Sequence, residues 1–307
     1  MQQLLEELHR KYASETSGHP ATYIPELAKA NPNDFGIVVT KIDGTQFKVG
    51  DWNKPFSLQS TSKPFIYGMA LEEHGREFVR SKVGVEPTGE AFNSIMELEK
   101  KTNRPYNPMI NSGAIAISSF IKGQTLPERL ENMVRVFANY QGHEASILNE
   151  VFESEKKTAH RNRSIAHLLR HFNVIDDRID EALDLYFMQC SILSTTADLS
   201  MMAATLANQG VHPLTKKRAI PQEYVGDVLS LMFSCGMYDS SGEWAYTVGV
   251  PAKSGVSGAI FGVVPGEFGI AVYSPLIDEK GHSIRGLRVF EELSRKCQLS
   301  IFRVTKT

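Results

Sequence analysis

The sequence predicts a mixed α+β protein in which one antiparallel sheet is built from both ends of the chain and flanked by helices. Segments rich in β-forming residues lie near 35–49 and 258–273, whereas the region from about 76 to 245 shows almost no alternating pattern. Because no stretch rich in Pro, Gly or Ser separates these regions, we expect one domain with two parts. The domain should cover 1–307, with an α/β subdomain over about 1–75 and 246–307 and a helical subdomain over about 76–245.

The N-terminal part is expected to contain a helix followed by a strand hairpin. Apolar residues recur at helical spacing over 4–12, which is typical of an amphipathic helix. The apolar run at 35–40 indicates a buried strand. The Asp-Gly pair at 43–44 is a hairpin signal, and the segment 46–49 should return as the partner strand.

Helices are expected to dominate the middle of the chain. The first should begin near Ser60 and run to about His74, with Gly75 as its stop. Further helical segments are expected near 110–122, 127–140, 161–172, 178–190, 196–208 and 222–235.

Strands return near the C-terminus. The segments 258–264 and 268–273 are rich in β-forming residues, and a Pro-Gly-Glu turn at 265–267 joins them. A final amphipathic helix is expected over about 284–296. The order of elements is therefore strands, helices, strands and a closing helix, which predicts that the two ends of the chain share one sheet.

Composition narrows the class of protein. The chain has 307 residues and a formal charge of −2, so it lacks the basic surplus typical of proteins that bind nucleic acids or anionic membranes. Its three cysteines, at 190, 235 and 297, are too few and too scattered for a disulfide framework or a zinc cluster. The N-terminus is polar, and no segment approaches the roughly 20 apolar residues that span a bilayer. We therefore expect a cytoplasmic protein without a targeting signal.

The tetrapeptide Ser60-Thr61-Ser62-Lys63 is the first candidate for chemistry. At the start of a helix, its serine and lysine lie one turn apart on the same face. A lysine with a lowered pKa could then accept the seryl proton, and the helix N-terminus would favour a developing oxyanion. The motif alone is weak, because an N-terminal capping serine beside a solvated lysine has the same pattern.

A second motif strengthens the first. Lys253-Ser254-Gly255 precedes the C-terminal strands, and a Lys-Ser/Thr-Gly strand is the second signature of serine-lysine acyl enzymes. Such a strand can pass the nucleophile and offer a backbone N–H to an oxyanion. The Ser-Asp-Asn element of penicillin-recognising enzymes is missing, so the fold could be shared while the substrate differs.

Seven blocks of sequence resemble the serine-dependent glutaminase family. They are YIPEL at 23–27, FSLQSTSK at 56–63, NPMINSGAI at 107–115, SE at 154–155 with RN at 161–162, YFMQCS at 186–191, CGMYD at 235–239 and PAKSGV at 251–256. They are ordered and spaced as in that family over about residues 15–300. Thr61, Ser112 and Ser257 stand where isoleucine, alanine and glycine are more usual, and none of these changes removes a functional group.

The resemblance implies a β-lactamase/DD-peptidase-like fold of the compact bacterial type. It also implies hydrolysis of L-glutamine to L-glutamate and ammonia without a cofactor or a metal. The partner of such an enzyme is its small-molecule substrate, not a nucleic acid or a membrane. Family members assemble as homodimers or homotetramers.

Residue roles follow from the same resemblance. It implies that Ser60 is the nucleophile, that Lys63 is its base and that Tyr238 handles the proton for the leaving ammonia. The oxyanion would lie between the backbone N–H groups of Ser60 and Val256. The charged groups of the substrate would be held by Tyr23, Asn111, Glu155, Asn162 and Tyr186. This set suits a free amino acid, because a carboxylate can bind the ammonium while neutral donors bind the carboxylate.

Each binding residue also has a structural interpretation. Glu155 could be one acid on a charged helix face, and Asn111 could be only a helix N-cap. Tyr186 could be a core residue with a satisfied hydroxyl, and Tyr23 a structural anchor. His167 lies four residues before a second histidine, at metal-ligand spacing, but no third ligand is apparent and a metal site is not expected.

Two other functions remain open at this stage. One is a β-lactamase or DD-peptidase-like acyl-serine enzyme, against which the missing Ser-Asp-Asn element and the cytoplasmic N-terminus argue. The other is an amino-acid sensor without catalysis, against which the intact Ser60, Lys63 and Tyr238 argue. Cys235 has no histidine partner in sequence that would make it a nucleophile, and no nucleotide-binding glycine pattern is present.

Overall fold

A computed structural model describes residues 1–88 and 103–303 of the chain. Its strands are β1 (Gly36–Lys41), β2 (Gln46–Gly50), β3 (Phe56–Ser57), β4 (Leu193–Ser194), β5 (Ala252–Gly255), β6 (Ala259–Val264) and β7 (Phe268–Tyr273). Five of them form one antiparallel sheet in the order β2-β1-β7-β6-β5. N-terminal β1 pairs directly with C-terminal β7, with Ile37 opposite Val272. The predicted sheet built from both chain ends is therefore confirmed.

Helices account for most of the remaining described chain. They are α1 (Gln2–Tyr12), α2 (Lys63–Lys82), α3 (Asn111–Ser119), α4 (Leu126–Gln141), α5 (Asn149–Thr158), α6 (His160–His171), α7 (Ile179–Cys190), α8 (Thr196–Ala207), α9 (Gln222–Cys235), α10 (Ser241–Thr247) and α11 (Ile284–Cys297). The predicted helices occur within a few residues of their expected bounds, except that helical structure in α2 continues beyond the expected end near His74. The short helices α5 and α10 and the small β3–β4 ladder were not predicted.

The predicted helix stop at Gly75 is confirmed, since Gly75 leaves helical geometry with φ 77° and ψ 161°. A second helical stretch that was not predicted follows it and continues to Lys82. Glycine tolerates this left-handed backbone, so the chain can change direction there before the second stretch begins. The second part of the segment is retained because it buries Val79 in the core.

Both faces of the sheet are covered by helices. One face places Ile37 and Val272 in a core with apolar residues of α1 and α11. The opposite face places Phe261 and Ala271 in a larger core shared with α8 and the other middle helices. Helix α8 approaches β7 so closely that a Cβ on Gly269 would lie 2.3 Å from the Ala204 nitrogen. The middle helices are thus anchored directly on the sheet.

The expected division into two subdomains remains a prediction. Helix α8 lies within the expected helical part yet packs on β1, β6 and β7. The expected helical part also includes residues 89–102, which lie outside the described residues.

A buried arginine on α11 anchors the long segment between α1 and β1. Arg285 on α11 is 1% exposed and donates to the carbonyl oxygens of Ala13, Glu15 and Pro32 at 3.1, 2.8 and 3.1 Å. These bonds hold the two ends of the segment that carries Tyr23. The buried guanidinium thus donates the hydrogen bonds that these three carbonyl oxygens would otherwise accept from water.

We predict that Arg285→Ala lowers the free energy of unfolding by about 3 kcal/mol, because it leaves buried carbonyls unpaired and opens a cavity. Urea denaturation monitored by circular dichroism measures the loss. Arg288→Ala is the matched control on the same helix, since the Arg288 side chain is 56% exposed. Equal stability losses in the two variants would contradict the assignment of Arg285.

Candidate active site

The first functional element is a 3-10 turn over Gln59–Ser62 that carries Ser60 and leads directly into α2. Strand β5 passes beside this turn. A Cβ on Gly255 would lie 3.0 Å from the carbonyl oxygen of Leu58, which explains the glycine of the Lys-Ser-Gly triplet. The two sequence motifs, far apart in the chain, are therefore neighbours in the fold.

Lys63 is buried one turn after Ser60. Its Nζ donates a 2.8 Å hydrogen bond to Asn111 Oδ1, and Asn111 Nδ2 donates a 3.1 Å bond to Asn162 Oδ1. Burial lowers the pKa of Lys63 to about 8, so a useful fraction of the amine is unprotonated near neutral pH. A nearby hydroxyl and an amine of this pKa are suited to nucleophilic catalysis.

Asn111 does not act as a helix N-cap. It is the first residue of α3, the N-cap position is Ile110, and no side-chain capping bond is made there. The Asn111 side chain instead joins Lys63 to Asn162 on α6. Three helices thus meet through one amide group.

A small cavity of about 100 Å³ lies beside Ser60. It is lined by Tyr23, Ile24, Gln59, Ser60, Asn111, Glu155, Thr158, Ala159, Arg161, Asn162, Tyr186 and Val256. All the predicted substrate-binding residues except Tyr238 belong to this lining. Lys63 and Tyr238 are not part of the lining. Lys63 is hydrogen bonded to the lining residue Asn111, and the lining residue Ser60 influences the pKa of Tyr238.

Glu155 is the carboxylate of this cavity. It is 6% exposed, whereas Glu153 on the same helix is exposed, so its interpretation as part of a solvated charged face is wrong. Burial raises the pKa of Glu155 to about 8, against the opposing effects of a Gln59 hydrogen bond and the Lys63 charge. Its Oε2 has no hydrogen-bond partner within the described part of the chain. A buried carboxylate oxygen in this state favours a cationic ligand.

The two tyrosines of the lining differ in exposure. Tyr186 on α7 is 2% exposed and belongs to the large core, and Lys63 Nζ lies 6.0 Å from the centre of its ring. It is therefore both a core residue and a wall of the cavity. Tyr23 is 54% exposed and stands at the rim.

Tyr238 lies beside both sequence motifs. Its hydroxyl donates to the backbone carbonyl of Ser254 at 3.0 Å, and the Ser60 side chain is close enough to influence the pKa of its phenol. Burial raises the pKa of the phenol, which keeps it protonated. The residue has a left-handed backbone with φ 51°, which is unusual for tyrosine.

Two residues near the site were not predicted as part of it. Gln59 lines the cavity, and the pKa of Glu155 responds to its hydrogen bond. Lys253 lies with Nζ 4.0 Å from the centre of the Tyr238 ring and donates to the Ser254 carbonyl at 2.7 Å. Burial, and then the Lys63 charge, lower the pKa of Lys253 far below its usual value. The Lys-Ser-Gly triplet was a sequence signal that could have identified Lys253 as part of the site. For Gln59 the only signal was its position directly before Ser60.

The positions that depart from the usual family pattern cause no visible distortion. The Thr61 hydroxyl donates to the Leu58 carbonyl at 2.5 Å. The hydroxyls of Ser112 and Ser257 are buried, with no hydrogen-bond partner in the ranges that the structure describes.

Other candidate sites are not supported by the described residues. Over 1–88 and 103–303, no group of three or more His, Cys, Asp or Glu side chains is placed to hold a metal ion, and His167 is exposed on α6. Burial raises the pKa of Cys235, the opposite of what an activated thiol requires. In the same ranges, helices of the length and apolar character needed to cross a bilayer are absent.

Comparison with known proteins gives one consistent result. A family model described as Glutaminase matches residues 18–302. A glutaminase from Microcystis aeruginosa is 56% identical over 299 residues, which are 97% of this chain and 88% of that protein. A solved structure titled as a probable glutaminase superposes with a TM-score of 0.96 at 37% identity, covering 99% of this chain and 98% of that one. Another, titled as Mglu in its glutamate form, has a TM-score of 0.93 at 40% identity and covers 98% and 69% of the two chains. The chain therefore belongs to the glutaminase family.

Proposed function

We propose that this chain is an enzyme that hydrolyses L-glutamine to L-glutamate and ammonia. The observation that carries the proposal is the buried carboxylate of Glu155, set in a small cavity with Ser60 and the side-chain amides of Asn111 and Asn162. This combination matches a zwitterionic amino acid, whose ammonium needs an anion and whose carboxylate accepts from neutral donors. The family membership, and a relative solved in a glutamate form, support the same substrate class.

The reaction would proceed through a γ-glutamyl ester of Ser60. Ser60 Oγ attacks the side-chain amide carbon of glutamine while its proton passes to the unprotonated amine of Lys63. The resulting oxyanion would be stabilised by the backbone N–H groups of Ser60 and Val256. The proton that Lys63 accepted is delivered through Tyr238 to the amide nitrogen, so that the C–N bond breaks, ammonia leaves and Lys63 is neutral again. Water then adds to the ester as Lys63 accepts its proton, and this proton returns to Ser60 Oγ as the ester bond breaks and glutamate is released.

The lowered pKa of Lys63 supports its role as the base. An ordinary lysine would be protonated at neutral pH and could not accept the seryl proton. Burial reduces this pKa to about 8, and the bond to Asn111 fixes the position of the amine. The influence of the Ser60 side chain on the pKa of Tyr238 likewise supports a role for the phenol in proton transfer.

Substrate binding would compensate the cost of burying Glu155. In the empty site burial disfavours the ionised carboxylate, and an ammonium group against its unpartnered Oε2 would restore the charged form. Tyr23, Tyr186, Asn111 and Asn162 would orient the α-carboxylate. A ligand lacking either charged group would leave buried partners unsatisfied, so binding should be specific for free amino acids.

Three further properties complete the proposal. The relationship to the β-lactamase/DD-peptidase fold is supported by the serine-lysine motif next to a terminal Lys-Ser-Gly strand on an antiparallel sheet. The resemblance to the family supports a homodimer or homotetramer in the cytoplasm. It also supports action without a cofactor, since the proposed steps need only this chain's own side chains.

We predict that Ser60→Ala reduces glutamine turnover by at least about 1,000-fold, because the nucleophile is removed, while glutamate binding is largely retained. Ammonia release and calorimetry measure the two effects. Ser112→Ala is the control, since its buried hydroxyl has no partner among the described residues and activity should persist. Asparagine and a chromogenic β-lactam are tested alongside. Turnover that survives Ser60→Ala, or a β-lactam turned over in preference to glutamine, would refute the proposal.

We predict that Glu155→Gln raises KM for glutamine about 100-fold with a smaller effect on kcat, because the substrate ammonium loses its buried counter-charge. Steady-state kinetics separate the two constants. Glu153→Gln on the exposed side of the same helix should leave both unchanged. An unaltered KM in Glu155→Gln would remove the assigned role.

We predict that kcat/KM rises with pH and levels off above about 8, because Lys63 must lose its proton to act as the base. The sign follows because the base form of Lys63 increases with pH and predominates only above its pKa of about 8. Glu155 acts in the same direction, because its raised pKa of about 8 means that it also ionises as pH rises. In Glu155→Gln only the Lys63 contribution should remain. A profile that is flat from about pH 6 to 9 would exclude Lys63 as the base.

A further inference from the structure

A buried histidine stands behind the proposed catalytic tyrosine. His282 is 1% exposed and belongs to a loop between β7 and α11. Its ring stacks on Tyr238 with centroids 5.2 Å apart and planes inclined by 19°. Its Nδ1 is hydrogen bonded to Ser254 Oγ at 2.9 Å. The Tyr238 hydroxyl donates a hydrogen bond to the Ser254 carbonyl, and His282 contacts both of these residues.

The loop around His282 is itself fixed. Asp278 Oδ1 accepts from the backbone N–H groups of Lys280 and His282 at 3.0 and 2.8 Å, and the Asp278 N–H donates to the His282 carbonyl at 2.9 Å. Gly281, with φ 88°, brings the backbone against the active site. A Cβ there would lie 3.2 Å from Val256 Cγ1 and 3.9 Å from Tyr238 Cε2. The loop therefore holds His282 in one orientation.

The imidazole contributes as a neutral ring. Burial, together with the charge of Lys253, lowers the pKa of His282 to about 4, although Asp278 opposes the shift. A charged imidazolium next to Lys253 would be repelled, whereas a neutral ring can stack on the phenol. Its Nε2 has no hydrogen-bond partner within the described residues, so no contact draws the ring away from Tyr238.

Tyr238 needs such support. Its backbone has a positive φ of 51°, which is costly for a residue with a Cβ and persists only where surrounding contacts enforce it. Its carbonyl accepts from Ser241 Oγ at 3.0 Å, which fixes the backbone but not the ring. Lys253 and His282 both contact the ring, whose hydroxyl is also bonded to the Ser254 carbonyl.

We propose that His282 is a positioning residue for the reaction: its ring, held by the turn at 278–283, keeps the Tyr238 hydroxyl aligned between Ser60 and the Ser254 carbonyl. This inference rests on the proposed function, in which Tyr238 handles the proton of the leaving group. Misalignment of such a group by a fraction of an ångström slows the chemical step more than it weakens substrate binding.

The experiment compares two conservative variants. His282→Asn keeps a polar group near the position of Nδ1 but removes the stacked ring, whereas His282→Phe keeps a ring and removes the bond to Ser254. We expect kcat for glutamine to fall about 10-fold or more in His282→Asn, with KM changed less than about 3-fold, and to stay within about 3-fold of wild type in His282→Phe. His212→Asn is the control for loss of a buried imidazole, since His212 is 2% exposed. It should leave kcat unchanged.

A double-mutant cycle tests the route through Tyr238. In a Tyr238→Phe background, His282→Asn should lower kcat by less than about 2-fold further, because the aligned hydroxyl is already absent. A full multiplicative loss, a loss confined to KM, an equal loss in His282→Phe, or an equal loss in His212→Asn would each overturn the inference.

Fluorine NMR of protein labelled with fluorotyrosine provides a readout that does not need turnover. The Tyr238 resonance, identified by its loss in Tyr238→Phe, should shift in His282→Asn and stay in place in His282→Phe. A wild-type enzyme that does not hydrolyse glutamine would refute the proposed function, and the resonance would still decide whether His282 positions the ring. An unmoved resonance in His282→Asn would overturn the inference in either case.

Discussion

The burial of charged groups around Ser60 is the constraint on which the rest of the site depends. Lys63, Glu155 and Lys253 are each removed from water, and burial is the first cause of the pKa shift of each. An isolated buried charge is too costly to keep, so the group must find partners or become neutral. Lys63 does both, through its bond to Asn111 and its lowered pKa. The burial that disfavours the charged form of Lys63 thus also makes its amine a base that can act near neutral pH.

The fold supplies this dry environment by joining distant parts of the chain. The turn that carries Ser60 comes from the N-terminal half, while β5 with Lys253 comes from the C-terminal end and is next to that turn because β1 pairs with β7 across the sheet. The close approach at Gly255 leaves no room for a larger residue there. Helices α3, α5 and α6 close the other side with Asn111, Glu155 and Asn162. Pairing of the chain ends is therefore a condition for assembling the site.

The sequence predicted the long regular elements better than the short ones. Long periodic segments such as α8 and the β6–β7 hairpin follow local patterns, so their positions were predictable. The continuation of α2 beyond Gly75 was not, because it depends on burial of Val79 by residues distant in sequence. Glu155 shows the same limit in the site: flanked by charged residues, it is buried only because of where α5 packs. Family resemblance identified it, since local pattern favours a solvated face.

The two left-handed residues beside Ser60 explain why local pattern alone underestimates this site. Gln59 and Tyr238 both have φ near 50°, a conformation that local propensity disfavours for residues with a Cβ. Each is held by contacts from other parts of the fold, Gln59 through Ser57 and Glu155, and Tyr238 through Ser254 and the stacked His282. A strained backbone of this kind persists only where tertiary contacts enforce it. Those contacts fix the side chains of the site before the substrate binds. Gln59 and Tyr238 are two of several non-glycine residues with positive φ. Their strained backbone lies beside the nucleophile, where rigid placement of a hydroxyl, a phenol and a carboxylate matters most.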